Sequence, residues 1–158
     1  LAGVLAGAMV KGIQSQGVAA TVKHFALNNK ETDRKHSDSR VSERAAREIY
    51  LKAFEYVIKG AKPWAVMSSY NIINGCYASE NKELLEDILR DEWGFDGMVT
   101  TDWWTLGEHY KEVKAGNDMK MACGDPKRLK EAMDQGLLTR QDLEHCAERV
   151  LNLILKLD

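Results

Sequence analysis

Helical and strand-like segments alternate along the whole 158-residue chain, and that alternation restricts the possible folds more than any other feature. Apolar residues at Val4, Leu5, Ala8, Met9 and Ile13 fit one face of a helix over 1–16, closed by Gly17. A short buried strand follows over 19–25, and then a long polar, charged stretch over 28–40. Ser42 can cap a helix over 42–59, with Glu43 in the first turn where the helix dipole favours negative charge. Ile49, Ala53 and Val57, spaced by four, form its stripe, widened by Tyr50, Phe54 and Ile58; Gly60 and Pro63 stop it. The pattern then predicts a strand over 64–70 and a helix over 79–92 burying Leu84, Leu85, Ile88 and Leu89. A strand over 98–101, a short helix over 106–114 and a weaker strand over 118–121 follow. Asp125 and Pro126 read as a cap and a first-turn proline. Thr139 and Asp142 form a capping-box-like pair opening a last helix, with Leu143, Ala147, Val150, Ile154 and Leu157 along one face.

Strands separated by helices pair in parallel through crossover connections, so the fold class is α/β. A doubly wound sheet and a β/α barrel both satisfy the pattern. A barrel of eight units needs about 250 residues, and four units supply half of one. A barrel-like chain of this length is therefore part of a longer polypeptide or completes itself by association. Its two open strand edges and exposed apolar interior invite pairing, so the isolated chain is not expected to be a stable catalytic monomer.

The formal charge is -2, from 22 basic against 24 acidic side chains, with no basic stripe. That balance argues against a nucleic-acid partner, whose phosphates demand concentrated Lys and Arg. Cys76, Cys123 and Cys146 are widely spaced and form neither a disulfide framework nor a metal motif. The stretch Gly94-Phe95-Asp96-Gly97 lacks the spacing of a phosphate cradle. No cofactor and no metal are expected. No apolar run reaches the roughly 18 residues of a membrane span, so no membrane partner is expected either. Leu1, not Met, opens the chain, and the sequence does not bound its location.

Reactive residues gather at the C-terminal ends of the strands: Lys23 and His24, Tyr70 and Asn71, Asp102 and Trp103, Lys120 and Met121. Ligand sites in parallel α/β folds form at that edge, although a buried strand leaving the core for solvent ends the same way. Asp102, ahead of two tryptophans, is either an acceptor for loop amides or a carboxylate beside an aromatic platform. The second suits a sugar, whose C–H face stacks on a ring, and a carboxylate can attack an anomeric carbon. Lys23 is compatible with a Schiff base, as in an aldolase, with hydroxyl binding, or with a charge pair. Borohydride trapping would expose the first. Arg34 fits the sugar or charge-pair account. His36 and His109 are isolated and read as surface residues.

Four strings carry a resemblance: Val-Lys-His-Phe-Ala-Leu-Asn-Asn over 22–29, Ser-Glu-Arg-Ala-Ala-Arg-Glu-Ile-Tyr-Leu over 42–51, Val-Met-Ser-Ser-Tyr-Asn over 66–71, and Trp-Gly-Phe-Asp-Gly-Met-Val-Thr-Thr-Asp-Trp over 93–103. Together they resemble glycoside hydrolase family 3, its β-glucosidase branch in particular. The resemblance implies a first domain built as a TIM-like (β/α)8 barrel, of which 1–158 is the second half, about four βα units. It implies that the first half-barrel and a C-terminal α/β sandwich domain lie outside this chain, and these are its expected partners; association with further copies of itself, which the open strand edges allow, is the alternative. By the same resemblance Asp102 is the catalytic nucleophile. Lys23 and His24 bind hydroxyls of the sugar, Arg34 supports them, Tyr70 lies close to the nucleophile, and Trp103 walls the pocket.

The implied reaction is retaining hydrolysis of a β-linked glucoside or short oligosaccharide. The acid/base is implied to be a glutamate of the sandwich domain. The N-acetylglucosaminidase branch, with Gly-His-Gly after the Lys-His-Phe string, fits poorly, since Ala26-Leu27-Asn28-Asn29 stands there. Glu31, Asp33 and Asp38 are weaker proton-donor candidates. Trp104 occupies a place where relatives often carry a small residue, which implies a tighter or more aromatic rim. Lys120 and Met121 are implied to lie close to the subsite. Other specificities on this scaffold, such as β-xylosidase, and a non-catalytic half-barrel binding sugar or protein remain alternatives.

Overall fold

A computed structural model describes residues 1–158. Helix α1 (Ala2–Gln14) precedes strand β1 (Thr21–Phe25), with Gly17 in the left-handed region between them. Ser42 caps the next helix through its hydroxyl, which accepts from the Ala45 N–H at 3.3 Å. That helix runs through α2 (Glu43–Ala45), a widened turn over Ala46–Tyr50 and α3 (Lys52–Ala61). In the widened turn the Leu51 N–H donates to Ala46 O, five residues back, at 2.8 Å. One extra residue in the ladder rotates everything around it by about 100°. Ile49, expected on the buried stripe, is therefore 66% exposed, and Leu51 enters the core in its place. Gly60 does not end the helix; Lys62 does, in the left-handed conformation. Gly3 lets α1 close on α3, since a Cβ there would meet Ala53 O at 2.9 Å.

Strand β2 (Asp38–Ser39) lies in the connection after β1, and β3 (Ala65–Ser68) follows α3. A small hairpin of β4 (Ile72–Ile73) and β5 (Cys76–Tyr77) comes next. Asn74 and Gly75 turn it with φ of +50° and +91°, the conformation two-residue hairpin loops prefer. The helix over Glu83–Glu92 buries Leu84, Leu85, Ile88 and Leu89 as its spacing predicts. Strand β6 (Met98–Thr101), α4 (His109–Lys114), α5 (Pro126–Asp134) and α6 (Arg140–Leu157) complete the chain. Asp125 caps α5, and Thr139 with Asp142 forms a full capping box on α6.

The main sheet has the order β1-β3-β6, all parallel. Its fourth strand is reduced to one parallel bridge between Thr100 and Met119. A second small sheet, β2-β4-β5, pairs β4 in parallel with β2 and antiparallel with β5. Phe25, Val66, Val99, Leu85, Leu89 and Trp93 lie in the core cluster between main sheet and helices. The architecture is half of a (β/α)8 barrel. The register of β1 on β3 slips between Val22 and Phe25, and the Lys23–His24 and Phe25–Ala26 peptide bonds are cis.

Two apolar surfaces stand open. One is the outer face of α1, with Val4, Leu5 and Met9 exposed; the other is the end of α6, with Leu151, Ile154, Leu155 and Leu157. Of the stripe expected on α6, Leu143 and Val150 are half-buried while Ala147, Ile154 and Leu157 are exposed. The buried face is instead centred on Cys146, whose thiol burial pushes up to about 12.

Candidate active site

Parallel strands deliver their C-terminal ends to one edge, and β1, β3 and β6 bring His24, Tyr70 and Asp102 together there. Asp102 is buried. Its N–H donates to Ser68 O at 3.2 Å, which extends the β3–β6 pairing one residue beyond the strand. Thr101 fixes the chain on the other side: its hydroxyl donates to Asp102 O at 2.8 Å and accepts the Met121 N–H at 3.0 Å. The two carboxylate oxygens are held differently. Oδ1 accepts the Trp103 N–H at 2.7 Å, and Oδ2 faces His24 Nε2 at 3.4 Å. The loop-amide reading of Asp102 thus accounts for one oxygen only.

Burial, the largest influence, lowers the His24 pKa below its usual value, against the opposing pull of Asp102; the charges of Lys23 and Arg34 lower it further. Burial thus favours the neutral imidazole over the charged one. Tyr70 donates its phenol hydrogen to Trp103 O at 2.6 Å. Burial, and then the nearby Asp102 charge, push its pKa up. Arg34 lies 4.6 Å from the centre of the Tyr70 ring. Trp103 is 45% exposed, so its indole stands open next to a buried carboxylate. A buried carboxylate, polar groups on either side and an exposed aromatic face are an arrangement able to bind and attack a sugar ring.

Lys23 is exposed and has no hydrogen-bond or ion-pair partner within this chain. Lys120, by contrast, turns inward, away from solvent. Its ammonium donates to Glu112 Oε2 at 2.5 Å, Gly107 O at 3.0 Å and Thr105 Oγ1 at 3.1 Å. The three loop carboxylates weighed as proton donors all have local partners. Glu31 pairs with Arg34 at 3.0 Å, Asp33 with His36 at 2.8 Å, and Asp38 with Arg40 at 2.7 Å. His109 accepts the Asp125 N–H at 3.2 Å and is not a surface residue; burial lowers its pKa.

Sequence reasoning misses two features of this edge. Lys35 donates to Trp104 O at 2.9 Å and lies 5.0 Å from the Tyr70 ring centre, so it links the loop after β1 to the loop after β6. Its only signal is its place beside Arg34. The second feature is a buried polar network beneath the β6 loop. Ser68 donates to Asn117 at 2.8 Å, Asn117 to Ser79 O and Glu112 O, and Ser79 to Glu112 Oε1 at 2.8 Å. Nothing in the spacing of those residues announces it.

A parallel half-barrel whose polar groups converge at the strand ends is the class of protein that fold and site define. The model of the family described as "Glycosyl hydrolase family 3 N terminal domain" matches residues 1–153, and the chain belongs to that family. It is 62% identical to beta-glucosidase A of Butyrivibrio fibrisolvens over 91% of this chain and 17% of that protein. It is 45% identical to an exo-alpha-(1->6)-L-arabinopyranosidase of Bifidobacterium longum over 99% of this chain and 21% of that protein. Beta-glucosidase 3B from Thermotoga neapolitana, solved in complex with glucose, superposes with a TM-score of 0.94 at 44% identity, over 98% of this chain and 23% of that chain. The chain spans about a fifth of the length of these relatives.

Proposed function

We propose that this chain is the nucleophile-bearing half-barrel of a retaining exo-β-glucosidase, acting on a β-linked glucoside or short oligosaccharide. One observation carries the reading. Asp102 is buried at the end of β6, its Oδ1 is fixed by the Trp103 N–H, and its other oxygen faces His24 Nε2 at 3.4 Å. In the first step an Asp102 oxygen bonds to the anomeric carbon as the glycosidic C–O bond breaks, and an acid protonates the leaving oxygen. In the second, the same group takes a proton from water, whose oxygen displaces the carboxylate and restores the original configuration. Lys23 and His24 would hold sugar hydroxyls, with Arg34 and Tyr70 keeping them in place and Trp103 lying against the ring.

Retaining enzymes set their two carboxyl groups about 5–5.5 Å apart. Glu31, Asp33 and Asp38 each pair locally, which makes them poor proton donors, and the family resemblance implies an acid/base glutamate on a sandwich domain outside these residues. The unpaired edge of β1 and the open apolar faces of α1 and α6 suit docking against a first half-barrel and that domain. The glucoside assignment follows the name of the 62%-identical relative. The arabinopyranosidase relative makes an aryl α-L-arabinopyranoside, which lacks the C5 hydroxymethyl and carries the opposite C4 configuration to a glucoside, a useful comparison substrate beside an aryl β-D-xyloside, which lacks the hydroxymethyl alone.

The experiment is to treat the intact protein with a 2-deoxy-2-fluoro-β-glucoside and map the labelled peptide. A glucosyl ester on Asp102, lost in Asp102→Asn, is expected. A label on another residue, or steady turnover by Asp102→Asn, overturns the assignment.

A further inference from the structure

Trp104 combines two features that work against each other unless something binds it. Its φ of +55° lies in the left-handed region, where a bulky side chain is disfavoured and glycine is at ease. Its side chain returns little of that cost by burial, being 55% exposed. Two groups from distant parts of the chain nevertheless hold it there. Its N–H donates to Met121 O at 3.3 Å, and its carbonyl accepts from Lys35 Nζ at 2.9 Å. That ammonium also lies over Tyr70, so the mount of Trp104 is continuous with the groups around Asp102. The Trp103 and Trp104 ring centres are 5.5 Å apart, with planes inclined at 56°, which leaves two exposed indoles forming an open wedge.

We infer that Trp104 is a specificity-determining residue that receives the leaving group, and that it selects aglycones with a flat apolar face. This rests on the reading of Asp102 as the nucleophile. A pocket that closes on one terminal sugar has a single open side, and the leaving group projects through it. The exposed Trp104 ring, its centre 5.5 Å from that of Trp103, is placed to meet that group if Trp103 walls the sugar pocket. An aryl ring and the C–H face of a second glucose share the required chemistry. A methyl aglycone has no such face. Lys35 acts as a positioning residue, setting the Trp104 backbone without touching substrate.

The test compares kcat/KM for phenyl β-glucoside, cellobiose and methyl β-glucoside in the intact protein and in its Trp104→Ala, Trp104→Phe and Lys35→Met variants. This constant reports the step in which the leaving group departs. The phenyl-to-methyl or cellobiose-to-methyl ratio is expected to fall about tenfold in Trp104→Ala, the upper range for one aromatic contact. Trp104→Phe should restore most of it, and Lys35→Met should lower the ratio less. A fall with phenyl alone assigns the face to aryl aglycones, and a fall with cellobiose alone assigns it to sugars. Because each ratio is internal to one preparation, partial unfolding cancels. Ratios that match wild type in Trp104→Ala overturn the proposal. Wild-type protein that hydrolyses none of the three substrates overturns the glucosidase reading itself, and the proposal with it.

Discussion

The loop after β1 and the loop after β6 both bring groups to the candidate site, and they are held by opposite means. The first keeps Arg34 near Tyr70 through ion pairs that stand in water: the Glu31 and Arg34 side chains are 73% and 41% exposed. Such pairs contribute little, because solvent screens them and two long side chains must be ordered. The second rests on Lys120 and Glu112, whose side chains are almost fully buried at 7% and 1%, with every polar atom of the cluster bound to a neighbour. Burying charge is costly, and half of such a pair costs more than either the whole or none. The β6 loop, which follows Asp102, is thereby the more firmly held one. The β1 loop is cross-linked to it by Lys35 alone among the long cations that donate to its backbone.

The largest expected effect comes from Lys120→Met, which leaves the Glu112 carboxylate buried without its cation. The loss in unfolding free energy should be about 3–5 kcal/mol, read from urea midpoints of the intact protein. Pairing it with Glu112→Gln should recover part of that loss, since no charge is then stranded. A loss under about 1 kcal/mol would erase the contrast between the loops.

A smaller effect is expected from pH. His24 at the end of β1 and His109 beneath the β6 loop both have pKa values lowered from 6.5, mainly by burial. The unfolded chain takes up protons below 6.5 that the folded chain refuses. The stability these two groups contribute is therefore complete above 6.5 and is lost as pH falls through their lower folded values. Urea midpoints should decline across that window, and His109→Gln should flatten the decline more than a substitution of exposed His145 does. A midpoint that rises on acidification from pH 7 to 5.5 would contradict the sign. The smallest effect belongs to Glu31→Gln, expected to cost less than about 1 kcal/mol by the same denaturation. A larger cost would make the β1 loop as firmly held as the other.

The β/α order, the capped starts of α5 and α6, and the buried side of the Glu83–Glu92 helix were all legible because each depends on residues within one or two turns. The convergence of His24, Tyr70 and Asp102 was legible in part. Parallel strands necessarily bring their ends to one edge, and family resemblance selected among the residues there. The Asn74-Gly75 hairpin is legible too, from two isoleucines ahead of a turn dipeptide. What could not be read is the fate of charge. Lys120 and Glu112 are polar letters in a polar stretch, and no local pattern distinguishes a solvated lysine from one turned inward to a carboxylate.

By itself, then, the sequence determined the order of elements and the edge at which the site must form, because hydrophobic period, caps and turn residues act over a few residues. Tertiary structure decided which side chains leave water. One wide turn at Ala46–Tyr50 exchanged Ile49 for Leu51 in the core, and the apolar stripe of α1 and the end of α6 stayed exposed for want of a surface within this chain to cover them. It also decided that Lys120 turns inward to Glu112, Gly107 and Thr105. Burial and charge pairing are properties of the assembled surroundings, fixed only when segments far apart in sequence come into contact.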